Sequence, residues 1–370
     1  MAEQAVNAAA VFTQSAVQAA PVLVSLEHIR SEKTRAIVAN SGNANCCTGE
    51  QGILNARRMC ELAAEKVGCG VEEVLVCSTG IIGHALPMEK VEKALSQLEV
   101  SADHIQNENA ARGVMTTDTV PKFTAARTQI DGKTVTVGGL VKGVGMIGPD
   151  MGTPAGLHAT LLSFLTTDAA IEKPLLQSIL QRATDKSFNS VTVDGDTSTN
   201  DTAILLSSGA AGVEITDENR AQFEALLDTV CQALARKVAR DGEGATKIVT
   251  IKLSGAQHEA DAKLAAMTVA NSPLVKTALF GNDPNWGRIA MATGRSGAQF
   301  DAQNLQIVLG GVEVFKDGEP TAFDLPQAEA ALKTEEVVIE IGLGAGTAAW
   351  TAWTCDFSYD YVKINAEYHT

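Results

Sequence analysis

Short apolar runs rich in β-branched residues alternate with longer segments of helical periodicity along most of the chain. The short runs predict β-strands, because branched side chains favour extended backbone. Apolar positions three and four residues apart predict amphipathic helices. The predicted strands are 34–40, 73–78, 133–141, 161–165, 187–193, 202–207, 247–253, 306–309 and 336–341. The predicted helices are 51–66, 87–98, 173–183, 218–240 and 260–270.

The order of these elements predicts a mixed α/β fold with layers of helix and sheet. Strand 161–165, helix 173–183 and strand 187–193 allow a βαβ unit, whose two strands run parallel. Asp131 and Gly132 separate two further strand-like stretches and predict the tight turn of an antiparallel hairpin. Both kinds of strand pairing are therefore expected.

Composition narrows the classes of protein to consider. At 370 residues, 45% of them apolar and only 4% aromatic, the chain can bury a large core of small aliphatic side chains. A net charge of −15 argues against nucleic acid or an anionic membrane as partner. Seven irregularly spaced cysteines favour a reducing compartment. No run approaches the roughly 20 apolar residues of a membrane span, and the start lacks the basic residues of a signal peptide. We expect a soluble, cytoplasmic protein.

The candidate for chemistry is Thr160, which follows Ala159 and precedes the apolar run LLSFLTTDA. A threonine hydroxyl is a poor nucleophile until a base removes its proton. If the bond before Thr160 is cut, its own α-amino group, which titrates near pH ~8, supplies that base. The motif is short, and most threonines in such runs are ordinary strand residues.

Eight further segments extend the pattern over most of the chain. They are AAPV (19–22), NSGNANCCTG (40–49), CSTGIIG (77–83), MTTDTVPK (115–122), VDGDTSTND (193–201), DGEGATK (241–247), LVKTALFGNDPNWGR (274–288) and YDYVKINAEYHT (359–370). With ATLLSFLTTDA, they resemble the ornithine acetyltransferase family in the same order, also called the glutamate N-acetyltransferase or ArgJ family. The resemblance implies a layered α/β/β/α-type core of the autoprocessing ArgJ/DmpA-like fold, with a smaller C-terminal α/β part.

The resemblance also implies an activity, an acetyltransferase of arginine biosynthesis that cleaves itself between Ala159 and Thr160. Thr160 takes the acetyl group of N2-acetylornithine, ornithine leaves, and glutamate receives the group. The fragments 1–159 and 160–370 are then expected to interleave as one folded unit and to pair into an α2β2 assembly. No cofactor and no metal is implied, and whether acetyl-CoA is also a donor stays open.

The family pattern assigns roles to individual residues. Thr160 is the nucleophile, and Thr79 and Gly80 donate to the oxyanion. The substrate-binding residues are Thr116, Lys142, Thr160, Glu243, Asn365 and Thr370. Without the resemblance, a Ser-Thr-Gly turn is ordinary turn chemistry and a single lysine or glutamate is ordinarily solvated. The opposite charges of Lys142 and Glu243 suit a zwitterionic amino acid. Thr370 requires the C-terminal tail to fold back over the cleft.

Two departures from the family keep alternatives open. Residues 152–158 are an insertion before Ala159, so Thr153 competes with Thr160 as nucleophile. Thr160 is preferred, because Pro154 would break the apolar strand expected after a nucleophile at Thr153. The segment before Phe12 is also short for the family, and a missing opening strand would leave a sheet edge unpaired. The alternatives are an autoprocessing aminopeptidase or amidase, with water as acceptor, and an uncut, inactive homologue.

Three other features predict no site. The run 194–200 begins like a calcium loop, but Leu205 stands where a bidentate glutamate is needed. We interpret the run as a polar turn. The glycines of 342–346 follow a strand without the helix or lysine of a phosphate loop, which predicts another turn. The six histidines show no metal-ligand spacing, and among them only His158 is placed to influence the cut.

Overall fold

The structure, a computed structural model, describes residues 1–101, 103–152 and 161–367. Its strands are β1 (Asn7–Phe12), β2 (Ala36–Asn43), β3 (Val74–Ile81), β4 (Lys122–Ile130), β5 (Lys133–Lys142), β6 (Leu162–Thr167), β7 (Thr202–Ser207), β8 (Ile248–Ala256), β9 (Gln306–Leu309), β10 (Val312–Lys316), β11 (Glu319–Pro320), β12 (Glu336–Gly342) and β13 (Ala348–Cys355). Its helices are α1 (Ala20–His28), α2 (Gly49–Val67), α3 (Met88–Gln97), α4 (His104–Gly113), α5 (Lys173–Asp185), α6 (Arg220–Arg240), α7 (Glu259–Ala270), α8 (Pro273–Phe280), α9 (Trp286–Gly294), α10 (Leu325–Leu332) and α11 (Tyr359–Glu367). The predicted mixed α/β fold is confirmed.

The described chain forms two compact units. Within the described residues, unit 1 consists of Met1–Asn189 and Asp196–Leu234, and unit 2 consists of Ser190–Gly195 and residues 235–367. None of the helices in the described ranges is long and apolar enough to cross a membrane.

Unit 1 is built on a five-stranded sheet of order β1-β7-β6-β5-β4. β6 and β7 are parallel and α5 connects them, so a βαβ unit is present with the predicted first strand and helix but a different second strand. Its second strand is β7, and the prediction of a strand at 187–193 was wrong. That segment contains a 3-10 turn at Phe188–Ser190. Its polar side chains bond to backbone instead, as Ser187 donates to the carbonyl of Ala183 and Asn189 to that of Met151, which competes with strand pairing.

The smaller parallel sheet of β2 and β3 packs on one face of the five-stranded sheet. The side chains buried between the two sheets include Ala8, Ala10, Phe12, Leu75, Cys77 and Ile204. The opposite face of β2 and β3 is covered by α1 and α2, through residues such as Val24 and Met59. On the outer side of the five-stranded sheet, Gln177 of α5 bonds to the backbone of Ala10. These four layers match the α/β/β/α arrangement expected.

The hairpin of β4 and β5 leads directly into the candidate site. Asp131 and Gly132 form its turn with φ of +51° and +75°. Positive φ at both central residues matches the right-handed twist of the flanking strands. The predicted hairpin is confirmed, and β5 runs from this turn to Lys142.

Unit 2 contains a six-stranded sheet of order β11-β10-β9-β12-β8-β13. Within it β8 and β12 are parallel, whereas β13 pairs with β8 antiparallel. Alternate residues of β8 and β12, including Ile251 and Ile339, pack against buried alanines of α7 such as Ala265. Gly344 and Gly346 lie in the turn between β12 and β13, as predicted, whereas Gly342 is the last residue of β12.

Candidate active site

Lys142 is the last residue of β5 and pairs with Leu162, the first residue of β6. Its ammonium donates hydrogen bonds to Oγ1 of Thr79 at 3.1 Å and to Oγ1 of Thr116 at 3.0 Å. Lys142 is 4% exposed and Thr79 only 1%. Three of the predicted site residues therefore meet in unit 1, around one buried cation.

The turn that carries Thr79 and Gly80 forms the C-terminal end of β3. Gly80 has φ of +130°, and a Cβ there would lie 2.3 Å from the backbone of Gly42 on the neighbouring strand. Only glycine fits this conformation and this close approach. The amide of Asn200 donates to the carbonyl of Ser78 at 2.9 Å and to that of Ala44 at 2.7 Å. These two bonds hold the end of β3 against the segment that follows β2.

A buried carboxylate, Asp118, supports the lysine from the other side. It accepts hydrogen bonds from Nζ of Lys122 at 2.7 Å and from the backbone N–H groups of Gly143 at 2.9 Å and Thr116 at 3.1 Å. Its second oxygen lies 3.9 Å from Nζ of Lys142. Burial by itself would raise the pKa of Asp118, but the charges of Lys142 and Lys122 hold that pKa below its ordinary range.

Asp118 and Lys122 were not predicted as site residues. Both lie in the segment MTTDTVPK, and their spacing of four residues was the available signal. The two side chains are almost fully buried and neutralise each other, so Lys142 contributes the surplus positive charge.

This geometry favours stabilisation of a developing negative charge. A hydroxyl has one donor and two acceptor positions. Because Oγ1 of Thr79 accepts from Lys142, its own O–H remains a donor, polarised by the adjacent cation. The arrangement therefore has the chemical character of an oxyanion site.

Glu243 and Asn365 lie in unit 2. Nδ2 of Asn365, on α11, donates to Oε2 of Glu243 at 2.9 Å. Ser358 bonds to the carbonyl of Gly244, the residue after Glu243, and so fastens this turn to the start of α11. The two predicted residues are thus paired with each other.

Ala159, Thr160 and the competing Thr153 lie outside the described residues, as does Thr370. The residues that flank 153–160 are described. Gly152 exchanges backbone hydrogen bonds with Phe12 of β1, and the carbonyl of Leu161 accepts from the N–H of Thr202 on β7 at 2.8 Å. Since Lys142 pairs with Leu162, it stands beside the start of the strand that follows Thr160.

Comparison with known proteins places this chain in a family. The model of the ArgJ family matches residues 1–370. The chain is 46% identical over 366 residues to the arginine biosynthesis bifunctional protein ArgJ of Symbiobacterium thermophilum, with 98% of this chain and 89% of that protein covered. It is 45% identical over 382 residues to the protein of the same name from Thermosynechococcus vestitus, with 98% and 90% covered.

A solved structure supports the same placement. The crystal structure of the arginine biosynthesis bifunctional protein argJ from Bacillus halodurans matches with 42% identity and a TM-score of 0.54. The match covers 55% of this chain and 98% of that one. The Bacillus halodurans protein therefore resembles this chain in both fold and sequence.

Proposed function

Because this chain belongs to the ArgJ family and is an enzyme of that family, we propose that it transfers an acetyl group from N2-acetylornithine to glutamate through an ester on Thr160. The observation that carries the proposal is the buried ammonium of Lys142, which bonds to Thr79 and Thr116 at the strand end beside Leu162. Acyl transfer needs such a preorganised positive charge where the carbonyl oxygen becomes negative.

Before the first turnover, hydrolysis of the bond between Ala159 and Thr160 consumes one water, leaves a carboxylate on Ala159 and frees the α-amine of Thr160. This amine takes the hydroxyl proton as the oxygen attacks the acetyl carbonyl. The O–H of Thr79 and the N–H of Gly80 donate to the resulting oxyanion. Collapse breaks the amide bond, the α-ammonium returns its proton to the departing nitrogen of ornithine, and the acetyl group remains as an ester on Thr160.

The second half repeats these steps in reverse with glutamate. Its neutral α-amine attacks the acetyl ester, the same oxyanion donors serve again, and N-acetylglutamate leaves as the threonine hydroxyl is restored. We assign Thr116 and Lys142, with Glu243, Asn365 and Thr370, to recognition of the substrates' charged and amide groups. A carboxylate needs a cation and an ammonium needs an anion, and Lys142 and Glu243 supply one of each.

Cleavage gives the fragments 1–159 and 160–370, which the proposal keeps together as one folded unit within an α2β2 assembly in the cytoplasm. The solved Bacillus halodurans chain spans little more than half of this one, a length that suits one fragment of a cut protein. Acetyl-CoA is a second donor to be tested.

Isotope exchange tests this function. The purified enzyme is incubated with N2-acetylornithine and labelled ornithine in the absence of glutamate. An acetyl-enzyme predicts that label enters N2-acetylornithine without any second acceptor. The variant Thr160→Ala should abolish exchange, whereas the matched variant Thr153→Ala should retain it. Net hydrolysis without exchange would contradict the proposal and indicate an amidase.

A further inference from the structure

The turn that carries Glu243 has little stiffness of its own. Glu243 stands between Gly242 and Gly244, and glycine restricts the backbone less than any other residue. Even so, Glu243 is only 9% exposed, and its carboxylate accepts a hydrogen bond from Asn365. Groups outside the turn must therefore hold Glu243 in this position.

Asp356, the residue directly after β13, holds the end of this turn. Its side chain is fully buried. Oδ1 accepts hydrogen bonds from the backbone N–H groups of Thr246 at 2.8 Å and Lys247 at 2.9 Å. Oδ2 accepts a third hydrogen bond, from the hydroxyl of Thr246. Hydrogen bonds to an ionised acceptor are the strong ones, so Asp356 fixes the backbone three residues after Glu243.

A buried lysine of α8, Lys276, fixes Asp356 in turn. Its ammonium donates to Oγ1 of Thr354 at 2.7 Å and to the carbonyl of Cys355. On the other side of Asp356, the N–H of Phe357 donates to the carbonyl of Lys276 at 3.3 Å. Burial lowers the pKa of Lys276, and the charge of Asp356 is among those that oppose this shift. Lys276 thus anchors the chain on both sides of Asp356 and offsets its charge.

The chain that follows Asp356 meets the turn from the other side. The hydroxyl of Ser358 donates to the carbonyl of Gly244. Gly244 has φ of +67°, and a Cβ there would overlap the backbone nitrogen of Tyr361. The backbone next to Glu243 is therefore pressed against the start of α11, while Asp356 holds its far end.

We propose that Asp356 is a positioning residue for substrate binding, which fixes the turn 241–247 so that the carboxylate of Glu243 meets the ammonium group of the substrate in one orientation. Such preorganisation removes the cost of ordering the turn when the substrate binds. Asp356 acts through its three hydrogen bonds, because Lys276 offsets its charge. The inference rests on the proposed function, since it requires Glu243 to bind substrate.

Two substitutions of Asp356 separate its hydrogen bonds from its charge. Asp356→Ala removes all three bonds, so KM for N2-acetylornithine should rise about tenfold, with kcat changed less than about twofold. Asp356→Asn keeps an oxygen for the two backbone N–H groups and gains an amide that can donate to the hydroxyl of Thr246. Its urea midpoint should fall, because Lys276 loses a counter-charge, but KM should stay within about twofold of wild type.

A combined variant tests whether Asp356 acts through Glu243. In the Glu243→Gln background, Asp356→Ala should change KM by less than about twofold, because the contribution of Glu243 is already lost. A further tenfold rise in the combined variant would overturn the inference. A fall in kcat at unchanged KM in Asp356→Ala would overturn it as well.

Asp324→Ala is the matched control. Asp324 caps α10 in the same unit, and its carboxylate accepts a hydrogen bond from the backbone N–H of Gln327 at 3.3 Å. The control therefore loses the same kind of bond at a distant turn and should keep the wild-type KM. An equal rise of KM in Asp324→Ala and Asp356→Ala would show general loosening of the unit and overturn the inference.

Thr246→Val gives a second measurement if Asp356→Ala does not fold. It removes only the hydroxyl that donates to Asp356, at an exposed position, and KM should rise about threefold, the effect of one hydrogen bond. An unchanged KM would overturn the inference. A wild-type KM in Glu243→Gln alone would defeat the role that the proposed function gives Glu243, and the two failures are therefore distinguishable.

Discussion

Nζ of Lys142 donates a hydrogen bond to Oγ1 of Thr79 across 3.1 Å, although 63 positions of sequence separate the two residues. The bond joins the end of a strand in the large sheet of unit 1 to the end of a strand in its small sheet. Thr79, the proposed oxyanion donor, and the cation of Lys142 thus come from different layers of the fold, and the packing of these layers sets the distance between them.

Removal of the Lys142 charge should impair the chemistry. In Lys142→Met the stem stays buried but the bonds to Thr79 and Thr116 are lost. Hydrogen bonds to a charged group contribute about 1.5–3 kcal/mol, so kcat/KM should fall about 10–100-fold. Lys133→Met on the same strand, where the lysine bonds to the exposed carbonyl of Gly212, should leave steady-state kinetics unchanged. Equal losses in the two variants would contradict the role of Lys142.

Asp118 should make unfolding sensitive to acid. Removing one member of a buried ion pair costs about 3–5 kcal/mol, and Asp118→Asn leaves Lys122 buried without its anion. The pKa of Asp118 is lower in the folded state than the ordinary 3.8. Its stabilisation is therefore fully present above the ordinary value and is lost as pH falls through the folded pKa.

Urea unfolding of Asp118→Asn and wild type over a pH series checks this expectation. The difference in unfolding free energy should be largest near neutral pH and should shrink in acid. Glu27→Gln, which removes the partner of the exposed Arg57, is the control and should change stability little. A difference for Asp118→Asn that does not depend on pH would refute the electrostatic explanation.

Gly80 should tolerate no side chain. Gly80→Ala and Gly83→Ala both place alanine at positive φ, but a Cβ at Gly83 meets nothing within 4 Å. In both variants the positive φ should lower the free energy of unfolding by about 1–2 kcal/mol. Overpacking should lower it by about 1–3 kcal/mol more in Gly80→Ala. Urea unfolding and kcat/KM measure the two effects. Comparable activity in both variants would show that the close approach of β2 and β3 is unimportant for the site.

Glu243 and Asn365 should act in binding more than in the chemical step. In Glu243→Gln the carboxylate that pairs with Asn365 is lost, and KM for N2-acetylornithine should rise about tenfold, the effect of about 1.4 kcal/mol, with kcat little changed. Asp360→Asn removes an exposed charge at the start of the same helix, α11, and should leave KM unaltered. A fall in kcat at constant KM would instead place Glu243 in the chemistry.

The fold was predictable from the sequence where the local pattern was strong. The bounds of β7 and β9 coincide with the predicted runs, and α5 and α6 begin within two residues of prediction. The helix α1 was not predicted, although Pro21 near its start suits the first turn of a helix. The strand predicted at 187–193 fails because its polar side chains bond to nearby backbone.

The site was predictable only through the family resemblance. The sequence near Lys142 does not predict its contacts with Thr79 and Thr116. Those residues are distant in the chain, and their contact depends on how the two sheets of unit 1 pack. Asp118 and Lys122 have a visible spacing, but charged residues four apart are commonly a solvated pair.

The most direct test of acetyl transfer through Thr160 is the mass of the fragments under denaturing conditions, before and after a brief acid-quenched reaction with N2-acetylornithine. Acetyl transfer through Thr160 predicts two fragments, the second beginning at Thr160 and gaining the mass of one acetyl group, which glutamate then removes. A second fragment that begins at Thr153 would move the nucleophile to that residue. A single uncut chain, or a cut protein that never carries the acetyl group, would contradict the account.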